Sequence, residues 1–95
     1  MGTPDSQSGN RVVEDARKAV SAHLRAERAR MGWKQADLAN ESGLSTYTIN
    51  RLETGKQEIK LDHIVLLATA FGVSMGDFLD DAQARMRKKP TDRDA

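Results

Sequence analysis

The chain has 95 residues, a formal net charge of +1, 38% hydrophobic and 31% charged residues, and no cysteine. That is enough for one domain with a modest core, and it excludes a disulfide framework and a thiolate zinc site. The longest apolar run, Ile64 to Ala68, is far short of the ~20 residues that cross a bilayer. No secretory apolar core follows the start, so the expectation is a cytoplasmic protein with no membrane partner.

Residues 1–10 hold Gly, Pro, Ser, Asn and Asp with no apolar residue after Met1, which reads as a disordered arm. A domain is expected over 11–88. Its first helix starts near Val13, where Val13, Ala16, Val20, Leu24 and Met31 recur at helical steps. Arg28 stands in the vacant slot of that series, and Gly32 closes the helix. A second helix begins near Gln35, with Ala36, Leu38 and Ala39 facing inward and Gly43 stopping it. Ser45 caps a third helix over 45–53, with Ile49 and Leu52 as its apolar stripe. Gly55 follows.

A fourth helix spans about Leu61 to Phe71, with Leu61, Ile64, Val65, Leu67, Ala68 and Phe71 inward, and ends at Gly72. The segment "SMGD" at 74–77 has the form of a capping box. It opens a fifth helix bearing Phe78, Leu79, Ala82 and Met86. Val13 and Ala16 are expected to pack on that helix near Met86. Residues 89–95 read as a disordered tail. No segment alternates as a strand does, so the fold class is all-α, a compact five-helix domain.

Two short helices about Gly43 form a helix-turn-helix. Its second helix must reach into a major groove about 12 Å wide, which demands close support from behind. Ala39 permits that approach, and Leu44 and Ile49 anchor the helix. Thr46, Tyr47, Asn50 and Arg51 are left pointing outward, a polar face suited to double-stranded DNA. The near-zero net charge hides an asymmetry: residues 11–35 carry seven basic and three acidic residues, a local surface suited to phosphates. His23 and His63 lie apart without a supporting ligand set, so no metal is expected. Ser74 lacks a His–Asp set, and "TGK" lacks the rest of a phosphate-binding loop. Neither an enzyme nor a cofactor is indicated. Trp33 reads as a cover for the core.

The segment "LRAERARMGWKQADLANESGLSTYTINRLETGKQEIKLDHIVLLATAFGVSMGDFL", residues 24–79, resembles the lambda-repressor and Cro type of helix-turn-helix domain, with the helix-turn-helix itself at 35–54. The landmarks are Arg28, Gly32, Gln35, Leu38, Ala39, Gly43, Ile49, Leu52, Glu53, Gly55, Lys56, Leu61 and "AFGVS". The resemblance implies that Thr46, Tyr47 and Arg51 read bases, and Asn50 on the same outward face is expected to join them. It assigns DNA phosphates to Gln35, Thr48 and Lys56, with Gln35 also bracing the recognition helix; Lys34 and Lys60 are expected to meet phosphates as well. It implies a buried structural ion pair of Arg28 with Glu53, consistent with an arginine placed in an apolar slot. Two positions depart from the family pattern: Ile59 stands where a proline is usual, and Lys60 where a small capping residue is usual.

The function expected is a sequence-specific transcriptional regulator, a repressor of the phage, mobile-element or restriction-controller type, acting as a homodimer on a two-fold operator. Dimer contacts are expected in the region from Phe71 to Phe78. No ligand-sensing second domain is expected from a chain of this length. The alternative is an antitoxin, which would bind a toxin as protein partner and repress its own operon.

Overall fold

A computed structural model describes the backbone of residues 3–87 and the side chains of 9–86. Five helices follow in order: α1 (Thr3–Arg30), α2 (Gln35–Ser42), α3 (Thr46–Glu53), α4 (Leu61–Phe71) and α5 (Met75–Arg87). No strand occurs among the described residues. Leu24 of α1, Leu38 and Ala39 of α2, Ile49 and Leu52 of α3, Ile64, Leu67, Ala68 and Phe71 of α4, and Phe78 of α5 form one core. Every helix thus contributes to a single apolar interior, as the removal of its apolar stripe from water requires. Phe71 stacks between Trp33 and Phe78, at centroid distances of 5.8 and 6.2 Å. Trp33 therefore closes the core over α4.

The joints are made by glycine. Gly43 has φ 83°, its N–H bonding back to the Ala39 carbonyl, and Gly72 has φ 76°. Only a residue without Cβ takes that conformation freely. Capping completes the other ends. The Ser45 hydroxyl accepts from the Thr48 N–H and the Ser74 hydroxyl from the Asp77 N–H, each at 3.0 Å. Where lysine stands before a helix, a side chain within the first turn does the capping. The Lys34 N–H bonds the Asp37 carboxylate at 2.8 Å, and the Lys60 N–H bonds His63 Nδ1 at 3.0 Å. His63 thereby takes on the reciprocal half of a capping box, and Ile59 packs against the core where the family pattern has proline.

Several sequence expectations change. α1 starts at Thr3 rather than near Val13, so the backbone from residue 3 to 10 is helical where composition suggests a disordered arm. Proline at position 4 suits the first turn of a helix, and elongation from an existing helix is far easier than nucleation. Residues 9–15 are exposed throughout, including Val13 at 48%. Ala16 does pack on α5 as expected: with Ala19 and Val20 it shares a shallow groove with Leu79, Ala82 and Met86. Met31, Ala36, Leu61, Val65 and Leu79 face solvent as well. α4 is apolar nearly all round, so its period alone cannot choose the inward side. At the two ends of the region expected to carry dimer contacts, Phe71 and Phe78 are buried within the domain, while Met75 inside it is 39% exposed. The tail expected at 89–95 lies outside the described residues.

Candidate nucleic-acid interface

α3 is eight residues long, too short to persist alone in water. It is held from behind by Ile49 and Leu52, both fully buried, and at its C-terminal end by polar contacts from α1. The Ser21 hydroxyl donates to the Leu52 carbonyl at 2.7 Å, and Arg25 donates to the Glu53 carbonyl. These are among the carbonyls that a helix end leaves without partners, and a guanidinium there also complements the helix dipole.

The Glu53 carboxylate, 1% exposed as a residue, is the centre of this arrangement. Arg28 grips it in a two-pronged pair, Nε to Oε2 at 2.6 Å and Nη2 to Oε1 at 3.1 Å. The Gln35 amide donates to Oε1 at 3.0 Å, and the third Arg28 nitrogen donates to the Trp33 carbonyl at 2.8 Å. One carboxylate thus ties together α1, the start of α2 and the end of α3. The hydrogen bond that Arg28 donates to Glu53 raises the Arg28 pKa above its ordinary value, against the opposing effect of burial. No buried side-chain nitrogen or oxygen lacks a partner among the described residues.

The outward face of α3 carries Thr46, Tyr47 and Asn50, all exposed, with Tyr47 at 71%. Thr48 is half-buried, and its hydroxyl oxygen accepts from the Ser45 hydroxyl at 3.0 Å. Arg51 differs from expectation. It is half-buried and folds back on the loop after α3, donating from Nε to Gln57 Oε1 at 3.1 Å and from Nη2 to the Lys56 carbonyl. Its guanidinium also lies 5.5 Å from the Tyr47 ring centroid, a cation–π contact. The arginine spans α3 and its following loop because Gly55 turns the chain back towards it at φ 72°. Lys34, Lys56 and Lys60 are exposed on the segments flanking the two helices, and Gln35 is half-buried.

Sequence patterns did not single out Ser21 and Arg25, although a signal is present. Positions 21, 25 and 28 follow helical steps of four and three, a polar stripe beside the apolar one. His23, which the sequence marks only as a non-ligand, has a structural place. It is 4% exposed, accepts a hydrogen bond at Nδ1 from Arg85 Nε at 3.0 Å, and packs edge-on to Phe78 at 5.0 Å. No cluster of three or more metal-ligating side chains occurs among the described residues, and no single helix among them is long and apolar enough to cross a membrane.

The sequence model of a family described as helix-turn-helix matches residues 24–78. A hypothetical transcription factor from Neisseria meningitidis serogroup B is 30% identical over 74 residues, 78% of this chain and 70% of that protein. Among solved structures, the clp gene regulator ClgR from Corynebacterium glutamicum matches with a TM-score of 0.71 at 30% identity, over 83% of this chain and 84% of that one. The restriction-modification controller protein C.AhdI from Aeromonas hydrophila matches with a TM-score of 0.62 at 29% identity, over 65% of this chain and 94% of that one.

Proposed function

Because the chain belongs to the lambda-repressor/Cro-like helix-turn-helix family of transcriptional regulators, we propose that it is a cytoplasmic repressor which reads double-stranded DNA through α3. The observation that carries this reading is the division of α3 into two faces. Ile49 and Leu52 are fully buried, while Thr46, Tyr47 and Asn50 on the other side are exposed. Such a short helix has its exposed polar face available for the edges of base pairs. Thr46, Tyr47 and Asn50 meet bases directly. Arg51 reaches a base only by releasing the Lys56 carbonyl and Gln57, so its reading is conditional on the loop. Lys34, Gln35, Thr48, Lys56 and Lys60 take phosphates, and these contacts set register rather than sequence preference.

The protein acts as a homodimer that spans two half-sites about 34–36 Å apart and occludes a promoter. The exposed Leu61, Val65 and Leu66 of α4 with Met75 and Leu79 of α5 supply apolar area for that pairing. An antitoxin role is a second reading, supported by Val12 and Val13, which are exposed outside the family-matched segment and would offer a toxin its contact.

Selection of bound sequences from a random duplex pool tests the main reading. A two-fold symmetric consensus is expected. Asn50→Ala should then relax preference at one position in each half-site, and Arg51→Ala should cost about 1–3 kcal/mol if it pairs with guanine. Recovery of no consensus would defeat sequence-specific repression.

A further inference from the structure

A cleft of about 660 Å³ opens between α1 and the loop that follows α3. Neither base reading nor the dimer face uses it. Its walls carry four cations, Arg17, Lys18 and Arg25 from α1 and Lys56 from the loop, against two anions, Glu14 and Glu58. Arg17 and Lys18 precede the family-matched segment, which begins at residue 24, whereas Arg25 and Lys56 lie within it.

Arg17 meets Glu58 at 3.3 Å, with the two side chains 44% and 69% exposed. An ion pair so open to water is weak and readily exchanged. A phosphate oxygen pair offers the same guanidinium the same two-pronged geometry as a carboxylate. The cleft is also fixed relative to the recognition helix. One wall is held by Ser21 and Arg25 to the last carbonyls of α3, and the loop is held by Arg51 to Lys56 and Gln57. Lys56, one of the residues proposed to meet a phosphate, itself lines the cleft.

We propose that this cleft seats a further backbone phosphate of the bound duplex, Arg17 exchanging Glu58 for the phosphate and Lys18 assisting. The inference rests on the DNA-binding reading and on Lys56 as a phosphate contact. It extends the footprint beyond the helix-turn-helix, and Glu58 becomes a built-in competitor that keeps Arg17 ordered and partly neutralised until DNA arrives.

The test is the salt dependence of binding of the full chain to a short labelled mixed-sequence duplex. Removing one phosphate-neutralising cation should reduce the slope of log K against log salt by about 0.9. Arg17→Gln and Lys18→Gln should each show that reduction. Arg11→Gln, the same charge change outside the cleft, should show much less. Glu58→Gln should bind several-fold more tightly. If Arg17→Gln and Lys18→Gln merely match Arg11→Gln while Lys56→Gln still flattens the slope, the cleft assignment falls and the DNA reading stands. If no duplex binds, the DNA reading itself falls. A second arm adds inorganic phosphate at constant ionic strength. Thermal stabilisation of the wild type but not of Arg17→Gln, with no change in the duplex slope, would reassign the cleft to a free anion and overturn the proposal.

Discussion

Glu53 accepts three hydrogen bonds on its carboxylate, two from Arg28 and one from Gln35, in surroundings that exclude water. Glu53→Ala leaves Arg28, whose side chain is 22% exposed, and Gln35 without their shared acceptor, and should cost about 3 kcal/mol, the lower end for breaking a buried pair. At roughly 4 °C or more per kcal/mol for a domain of this size, that is a fall of over about 10 °C in Tm. An unchanged midpoint would show that the pair contributes nothing. Arg28 was legible in the sequence because an arginine in an apolar slot calls for a carboxylate. His23 was not, because its partner Arg85 lies 62 residues away and no local pattern links them. Burial holds the His23 imidazole below its ordinary pKa, Arg85 pushes the same way, and Glu27 and Asp81 partly oppose. The neutral ring is favoured in the fold, while the unfolded chain takes its proton near pH 6.5. Stability from this group is thus complete above about pH 6.5 and is lost as pH falls from there towards the lower folded value. His23→Asn keeps an acceptor for Arg85 without a titrating ring. Thermal midpoints should fall less on going from neutral to mildly acidic buffer, about pH 7.5 to about 5.5, in that variant than in the wild type. Parallel curves would rule the effect out.

The order of the five helices and the turns between them were readable, because a glycine lies just past the end of each of α1 to α4 and a small polar or lysine residue precedes each of α2 to α5. Inward and outward sides were readable only where polar residues break the pattern. On α3, Ile49 and Leu52 stand out against Thr46, Asn50 and Arg51. On α4 the run from Ile64 to Ala68 has no polar side, so the exposure of Val65 and Leu66 could not be seen. The length of α1 was hidden for a different reason: residues 9–15 are exposed throughout, and a helical stretch without a packed face leaves no periodic signal. At the joint between α2 and α3, a Cβ added to Gly43 would meet no atom within 4 Å. The cost of Gly43→Ala is therefore conformational rather than steric, about 1–2 kcal/mol for a positive φ. Chemical denaturation should show that loss with an unchanged m-value. A larger loss would mean that the two helices also shift.

At the scale of the whole molecule, α1 forms a back wall: it packs against α5 through Ala16, Ala19 and Val20 and holds the end of α3 through Ser21, Arg25 and Arg28. The apolar residues left outside on α4 and α5 are Leu61, Val65, Leu66, Met75 and Leu79, at 38–64% exposure. A paired replacement among them, Leu66→Glu with Leu79→Glu, should abolish self-association in analytical ultracentrifugation and weaken binding to a two-half-site duplex. Binding to a single half-site should be unaffected. A dimer that survives both changes would place the interface elsewhere.

The shared carboxylate has one more consequence, for the order in which the protein comes apart. Glu53 is joined to partners 25 and 18 residues earlier in the chain, and Leu52 to one 31 residues earlier. α3 cannot fray on its own without leaving Arg28 and Gln35 unpaired at the same moment. Amide protons of α3 should accordingly exchange with solvent deuterium only when the whole domain opens, at the same free energy as the most protected amides of α1. In Glu53→Ala the α3 amides should exchange through a separate, cheaper opening while those of α1 still report global unfolding. Exchange of α3 well ahead of α1 in the wild type would contradict this coupling.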